Sequence, residues 1–127
     1  MIASAMLTFG CSGRNADFGT VDMKKVETEA PAVQATKEDF TKKMTELQTE
    51  MQKELEGKSG EEAQKISEDF AAKAKLVQSE TQNKLKASLD AALAQVAKEK
   101  GLGAILVKDV VPQGGTDVTQ EVIEKMK

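Results

Sequence analysis

Three acidic pairs, Glu38-Asp39, Glu61-Glu62 and Glu68-Asp69, are the residues of this chain best suited by type to acid–base or metal chemistry. Paired carboxylates do such work only where they converge on one point. Helix neighbours point about 100° apart, and the lysines interspersed among these pairs make them a solvated face. Gly114-Gly115-Thr116 offers glycines to a phosphate-cradling loop but lacks its lysine and its spacing, so it suits a plain turn. The chain contains no His at all. Imidazole-ligated metals, Ser-His and Cys-His nucleophiles and a neutral-pH switch are thereby excluded. No catalytic residue, metal ligand or cofactor-binding residue remains, and neither an enzyme nor a cofactor is expected.

What is left is a chain built to present helices. Its 127 residues are 39% hydrophobic but only 3% aromatic, with four Phe and no Trp or Tyr, too little for a conventional compact core. A net charge of −3 and a pI near 5.1 give no basic stripe, and stacking aromatics are missing, so nucleic acid is not an expected partner. No run of 18 apolar residues exists that would span a membrane.

The apolar run MIASAMLTFG ends at Cys11, the single cysteine, and gives way to Ser12, Gly13 and the irregular Arg14-Asn15-Ala16-Asp17. Its length is that of a secretory h-region, which makes residues 1–17 an export leader and linker. The junction resembles a bacterial lipoprotein cleavage site, with Gly10 before the cysteine and Thr8 where Leu is usual. That resemblance implies lipidation of Cys11 and attachment of the chain to a membrane through the lipid. The alternative is an incidental thiol in a discarded leader. With one cysteine there is no intrachain disulfide to rely on.

From Ala32 to Lys100 almost every residue is a helix former. In a first helix, about Ala32 to Glu56, Val33, Phe40, Met44, Leu47, Met51 and Leu55 recur at spacings of seven, four, three, four and four, a heptad seam. Gly57-Lys58-Ser59-Gly60 then breaks the helix and suits a reversal. A second helix of about 40 residues repeats Ile66, Phe70, Ala74, Val77, Thr81, Leu85, Leu89, Ala92 and Val96, and its period loosens locally toward eleven residues. A fold-back at Lys58 and Ser59 puts Met51 opposite Ile66, Leu47 opposite Phe70, Met44 opposite Lys73 or Ala74, Phe40 opposite Val77 and Val33 opposite Lys84 or Leu85. The two seams are in phase, which predicts an antiparallel coiled-coil hairpin about 36 Å long.

Both ends carry short β-type runs. Phe18-Gly19-Thr20-Val21-Asp22 forms a first strand, followed by a turn or two of helix from Met23 to Glu29. Ala104-Ile105-Leu106-Val107 forms a second and Val110-Val111 a third, closed by Pro112 and Gly114-Gly115. Asp117 or Thr119 caps a final helix striped by Val118, Val122, Ile123 and Met126. The fold class is therefore α+β, mostly α: a small β body of about three strands per chain, completed by oligomerisation, and a long helical arm. The body takes residues 18–31 and 86–127, the arm residues 32–85. Three short strands leave two open edges, and Leu85, Leu89, Leu93 and Val96 need cover. Cyclic repetition of the unit supplies both, with Ile105 and Val107 joining the interface between copies.

The element order resembles the Skp or OmpH family of periplasmic chaperones over roughly Phe18 to Lys127. Two stretches carry the resemblance: Phe18-Gly19-Thr20-Val21-Asp22-Met23, and Gly103-Ala104-Ile105-Leu106-Val107-Lys108 through Gly114-Gly115-Thr116-Asp117-Val118-Thr119-Gln120-Glu121-Val122-Ile123. It implies a closing β-hairpin before the last helix, and a periplasmic homotrimer whose helical arms surround a cavity. Unfolded outer-membrane proteins are held there without ATP. Residues 33–100 carry 12 Lys against 13 Asp plus Glu, unlike the strongly basic members of that family. In the arm, Phe40, Met44, Leu47, Met51, Ile66, Phe70 and Val77 are the expected seam, and Leu76, apolar but off the seam, is the expected client contact. A non-enzymatic envelope scaffold, in which the same hairpin binds one folded partner, is the alternative function.

Overall fold

The computed structural model describes residues 17–127, so Cys11 and the expected leader lie outside the described residues. In chain order the elements are β1 (Phe18–Val21), α1 (Met23–Glu29), α2 (Pro31–Leu55), α3 (Glu61–Lys100), β2 (Ala104–Val107), a 3-10 turn (Lys108–Val110), β3 (Thr116–Asp117) and α4 (Thr119–Lys125). The protein is mostly helical, with one small three-stranded sheet.

Local chemistry sets the boundaries. Asp22 leaves the expected first strand because its carboxylate accepts the N–H groups of Lys24 and Lys25, at 3.0 and 3.3 Å, and so caps α1. Pro31 opens α2 at the first helical position, where its missing N–H costs nothing. Gly57 and Gly60 both take positive φ in the connection that separates α2 from α3. The 40 residues of α3 run without interruption to Gly101.

The sheet departs from expectation. Its order is β2-β1-β3, and both neighbours run parallel to β1, with Phe18 opposite Ala104, Val21 opposite Val107 and Thr20 opposite Asp117. The expected closing hairpin is therefore absent, because β1 lies between its two arms. Val110-Val111 is not a strand either. Val110 ends the 3-10 turn, in which the Val111 N–H reaches the Lys108 carbonyl, and Pro112 follows with no N–H to give a ladder. Gly114 and Gly115 then carry the chain over the Phe18 ring to the far edge of β1.

One core holds the body. Val21 of β1, Val26 of α1, Val33 of α2, Val96 of α3 and Val122 and Ile123 of α4 are all buried in it. Val26, Val96, Val118 and Val122 are fully buried, each worth about 1.5–2 kcal/mol. Leu85, Leu89, Leu93, Leu102 and Ile105 pack half-buried against the same cluster. The apolar face from Leu85 to Val96 thus finds part of its cover within the chain: Ala92 and Val96 are buried, and Leu85, Leu89 and Leu93 keep an exposed side. Leu85, the expected last residue of the arm, already belongs to the body.

Gly115 is where this packing is least forgiving. Its φ is +81°, and a Cβ there would stand 2.5 Å from the Phe18 ring and 3.0 Å from Thr20 Cγ2. Gly57 has a similar φ of +73° with nothing within 4 Å. Gly57→Ala is expected to cost about 1 kcal/mol for the left-handed backbone alone. Gly115→Ala, where collision adds to strain, is expected to cost about 3 kcal/mol. Denaturant midpoints compared across the two variants check the difference.

Candidate functional site

Outside the body, α2 and α3 pack on one another. A trough between them is lined by Met44, Leu47, Gln48 and Met51 from α2 and by Ser67, Phe70, Ala71 and Ala74 from α3, with a volume of about 320 Å³. Four expected seam residues, Met44, Leu47, Met51 and Phe70, meet there. Phe70 is the buried one, at 4% exposure, while Met44, Leu47 and Met51 are half-buried. Two helices alone leave a seam open on both flanks, which is why large apolar residues on it stay partly in water. Phe40 and Val77 are half-buried on the same stripe, and Ile66 lies half-buried nearer the tip beside Lys58, Glu62, Lys65 and Asp69.

Polar bonds do little to hold these helices together. Lys43–Asp39, Lys58–Glu62 and Lys86–Asp90 are ion pairs between residues four apart in sequence. Among the described residues no ion pair and no side-chain hydrogen bond links α2 to α3. Lys73 instead places its ammonium 4.5 Å from the centroid of the Phe70 ring, a cation–π contact on α3 itself. Thr45, Thr49 and Thr81 turn their hydroxyls back onto carbonyls one turn earlier in their own helices, and so demand no partner across the seam.

The body is bound differently. Lys100 meets Glu121 at 3.3 Å and Lys125 meets Glu99 at 3.2 Å, two ion pairs between α3 and α4. The Lys125 ammonium, with Gln95 adding a hydrogen bond, holds the Glu99 carboxyl below its ordinary range. At the start of α4, the Asp22 N–H donates to Thr119 Oγ1 at 2.9 Å and that hydroxyl donates to Asp117 Oδ1 at 2.6 Å. Asp117 also accepts the Thr119 N–H, so of the two expected caps the carboxylate does the capping, from one residue ahead of the cap position. The Thr119 hydroxyl, its N–H and then Lys108 lower the Asp117 pKa. This clasp ties the end of β1 to the start of α4.

A second candidate surface lies at the outer edge of β2. Leu106, Val107 and Val110 are 42%, 40% and 72% exposed, and among the described residues β2 pairs only with β1. Of the residues expected between copies, Val107 is exposed here, Ile105, Leu85, Leu89 and Leu93 are half-buried, and Val96 lies inside the chain's own core. Leu76, at 60% exposure, stands on the arm away from the trough. Gln48, Ser67 and Ala71 did not stand out in the sequence, because a search for large apolar residues passes over the small and neutral ones that make a trough. Among the described residues no group of three or more His, Cys, Asp or Glu could hold a metal ion, and no helix is long and apolar enough to cross a membrane.

No protein-family model, no curated protein and no solved structure matches the chain.

Because Asp117 is held at a lowered pKa in the folded state, its contribution is present above the ordinary aspartate range and is lost as the pH falls through that range toward the lowered value. Melting temperature measured against pH is expected to drop in this acid window, and Asp117→Asn is expected to flatten that part of the drop.

Proposed function

We propose that α2 and α3 form an antiparallel coiled-coil arm, and that the chain is an ATP-independent periplasmic holdase of the Skp or OmpH type. It binds unfolded outer-membrane proteins and keeps them from aggregating. The observation that carries this reading is the trough of half-buried Met44, Leu47 and Met51 over Phe70, on two helices that no ion pair or side-chain hydrogen bond joins among the described residues. An arm of this make offers apolar contact in shallow patches. Such contacts shield a client's sticky segments yet release them without a nucleotide, and several of them together supply useful avidity. Leu76, exposed on the same arm, adds one more apolar contact to that set.

A homotrimer closes the arms around a client. The open outer edge of β2, with exposed Leu106 and Val107 and with Val110 exposed in the turn after it, supports pairing with a neighbouring copy, since an unpaired strand edge is a ready template for another chain. Export through the leader at the start of residues 1–17 delivers the protein to the periplasm, and lipidation of Cys11, at the start of the linker that remains, anchors it to the envelope. Nothing in the reading requires a cofactor, a nucleic acid or a catalytic step.

Light scattering of a porin diluted from denaturant tests the function. A several-fold molar excess of the protein is expected to suppress the scattering, and unchanged scattering would contradict the holdase. Sedimentation velocity across a concentration series is expected to return a trimer, whereas a monomer at micromolar concentration would remove the shared β body. Phe70→Asp, which puts a carboxylate in the middle of the arm, is expected to lower helicity and destabilise the arm by about 3 kcal/mol while sparing the body core. Circular dichroism melting checks it.

A further inference from the structure

The two flanks of the arm differ in charge. On α2, Gln48 lines the trough, and helical spacing puts Thr41, Thr45 and Gln52 on the same flank, with Lys37 the first charge beyond them toward the body. On α3, Ser67, Ala71 and Ala74 line it, and Gln78 continues the row toward the body. The opposite flank takes Lys43, Glu50 and Glu54 from α2 and Glu62, Asp69 and Leu76 from α3. In a chain that is 31% charged, all eight residues lining the trough are neutral.

Size narrows the occupant further. Eight lining residues fall well short of the roughly 20–30 per side of a stable protein interface, so neither a folded partner nor a second copy is held here on its own. The volume of about 320 Å³ is about twice that of the ~150 Å³ cavity that accepts one benzene ring, which leaves room for about two ring-sized side chains. Two methionines on the floor adapt to different shapes, and small Ser67, Ala71 and Ala74 keep the wall low.

We propose that this neutral flank is the main client-gripping face of the arm: the trough takes an uncharged apolar segment of an unfolded chain, about two large side chains at a time, and the charged flank, Leu76 apart, faces water. The proposal rests on the holdase reading and assigns the grip to one side of the arm.

A photo-crosslinking residue placed at Gln48, and in a separate variant at Glu50, tests it on the full chain with a denaturant-diluted porin as client. Crosslinking from position 48 is expected to exceed that from position 50 about tenfold, the ratio a single charged contact can set. Ala71→Glu, a change helices accept, is expected to weaken client binding about tenfold with helicity and melting unchanged. Ala71→Gln, which fills the wall without charge, separates loss of space from the effect of charge and is expected to bind more tightly than Ala71→Glu. Equal crosslinking from both flanks, with aggregation still suppressed, would overturn the trough and leave the holdase standing. An absence of both crosslinking and suppression would overturn both.

Discussion

Two long helices that, among the described residues, have no third element to lean on along the arm can bury only a narrow stripe, and everything distinctive about this protein depends on that constraint. Along α2 and α3 the stripe holds Met44, Leu47, Met51 and Phe70, and of these only Phe70 is buried. Among the described residues no ion pair joins α2 to α3, so their association rests on apolar contact. A seam of this kind stays partly wet. Incomplete burial weakens the arm and, by the same geometry, leaves it able to touch something else.

The body solves the opposite problem. It gathers short elements from both ends of the chain, β1 and α1 from one and β2, β3 and α4 from the other, around the base of α3. Valines fill its core, and its polar links are specific: the Asp22–Thr119–Asp117 clasp and the two ion pairs between α3 and α4. A firm base under a lightly held arm is the arrangement a passive holdase needs, because the grip can yield while the anchor does not. In the proposed trimer the open edge of β2 supplies the remaining contacts.

Much of the helical part was legible in the residues. Heptad spacing marked Phe40 to Leu55, glycines marked the break before Glu61, and buried Phe70 and half-buried Ile66, Ala74, Val77, Thr81 and Leu85 of α3 follow the expected stripe. Sheet topology was not legible. Val110-Val111 has strand-like residues but is claimed by a 3-10 turn and Pro112, whereas Thr116-Asp117, two polar residues without any apolar pattern, supplies the third strand. The cover over Leu85 to Val96 also escaped, because a buried face states its need for a partner and not which element fills it. In the same way the neutral trough depends on what Ser67 and Ala71 lack, which periodicity of large side chains does not register.

The pairing of the two long helices is tested most directly by a spin-label distance between positions 37 and 80, in a background where Cys11 is replaced by Ser. A fold-back near Lys58 and Ser59 brings these backbones to the ~8–10 Å spacing of packed helices, and the account predicts a short distance widened only by the label arms. A value near 65 Å, the length of one continuous helix across those 43 residues at ~1.5 Å each, would contradict it.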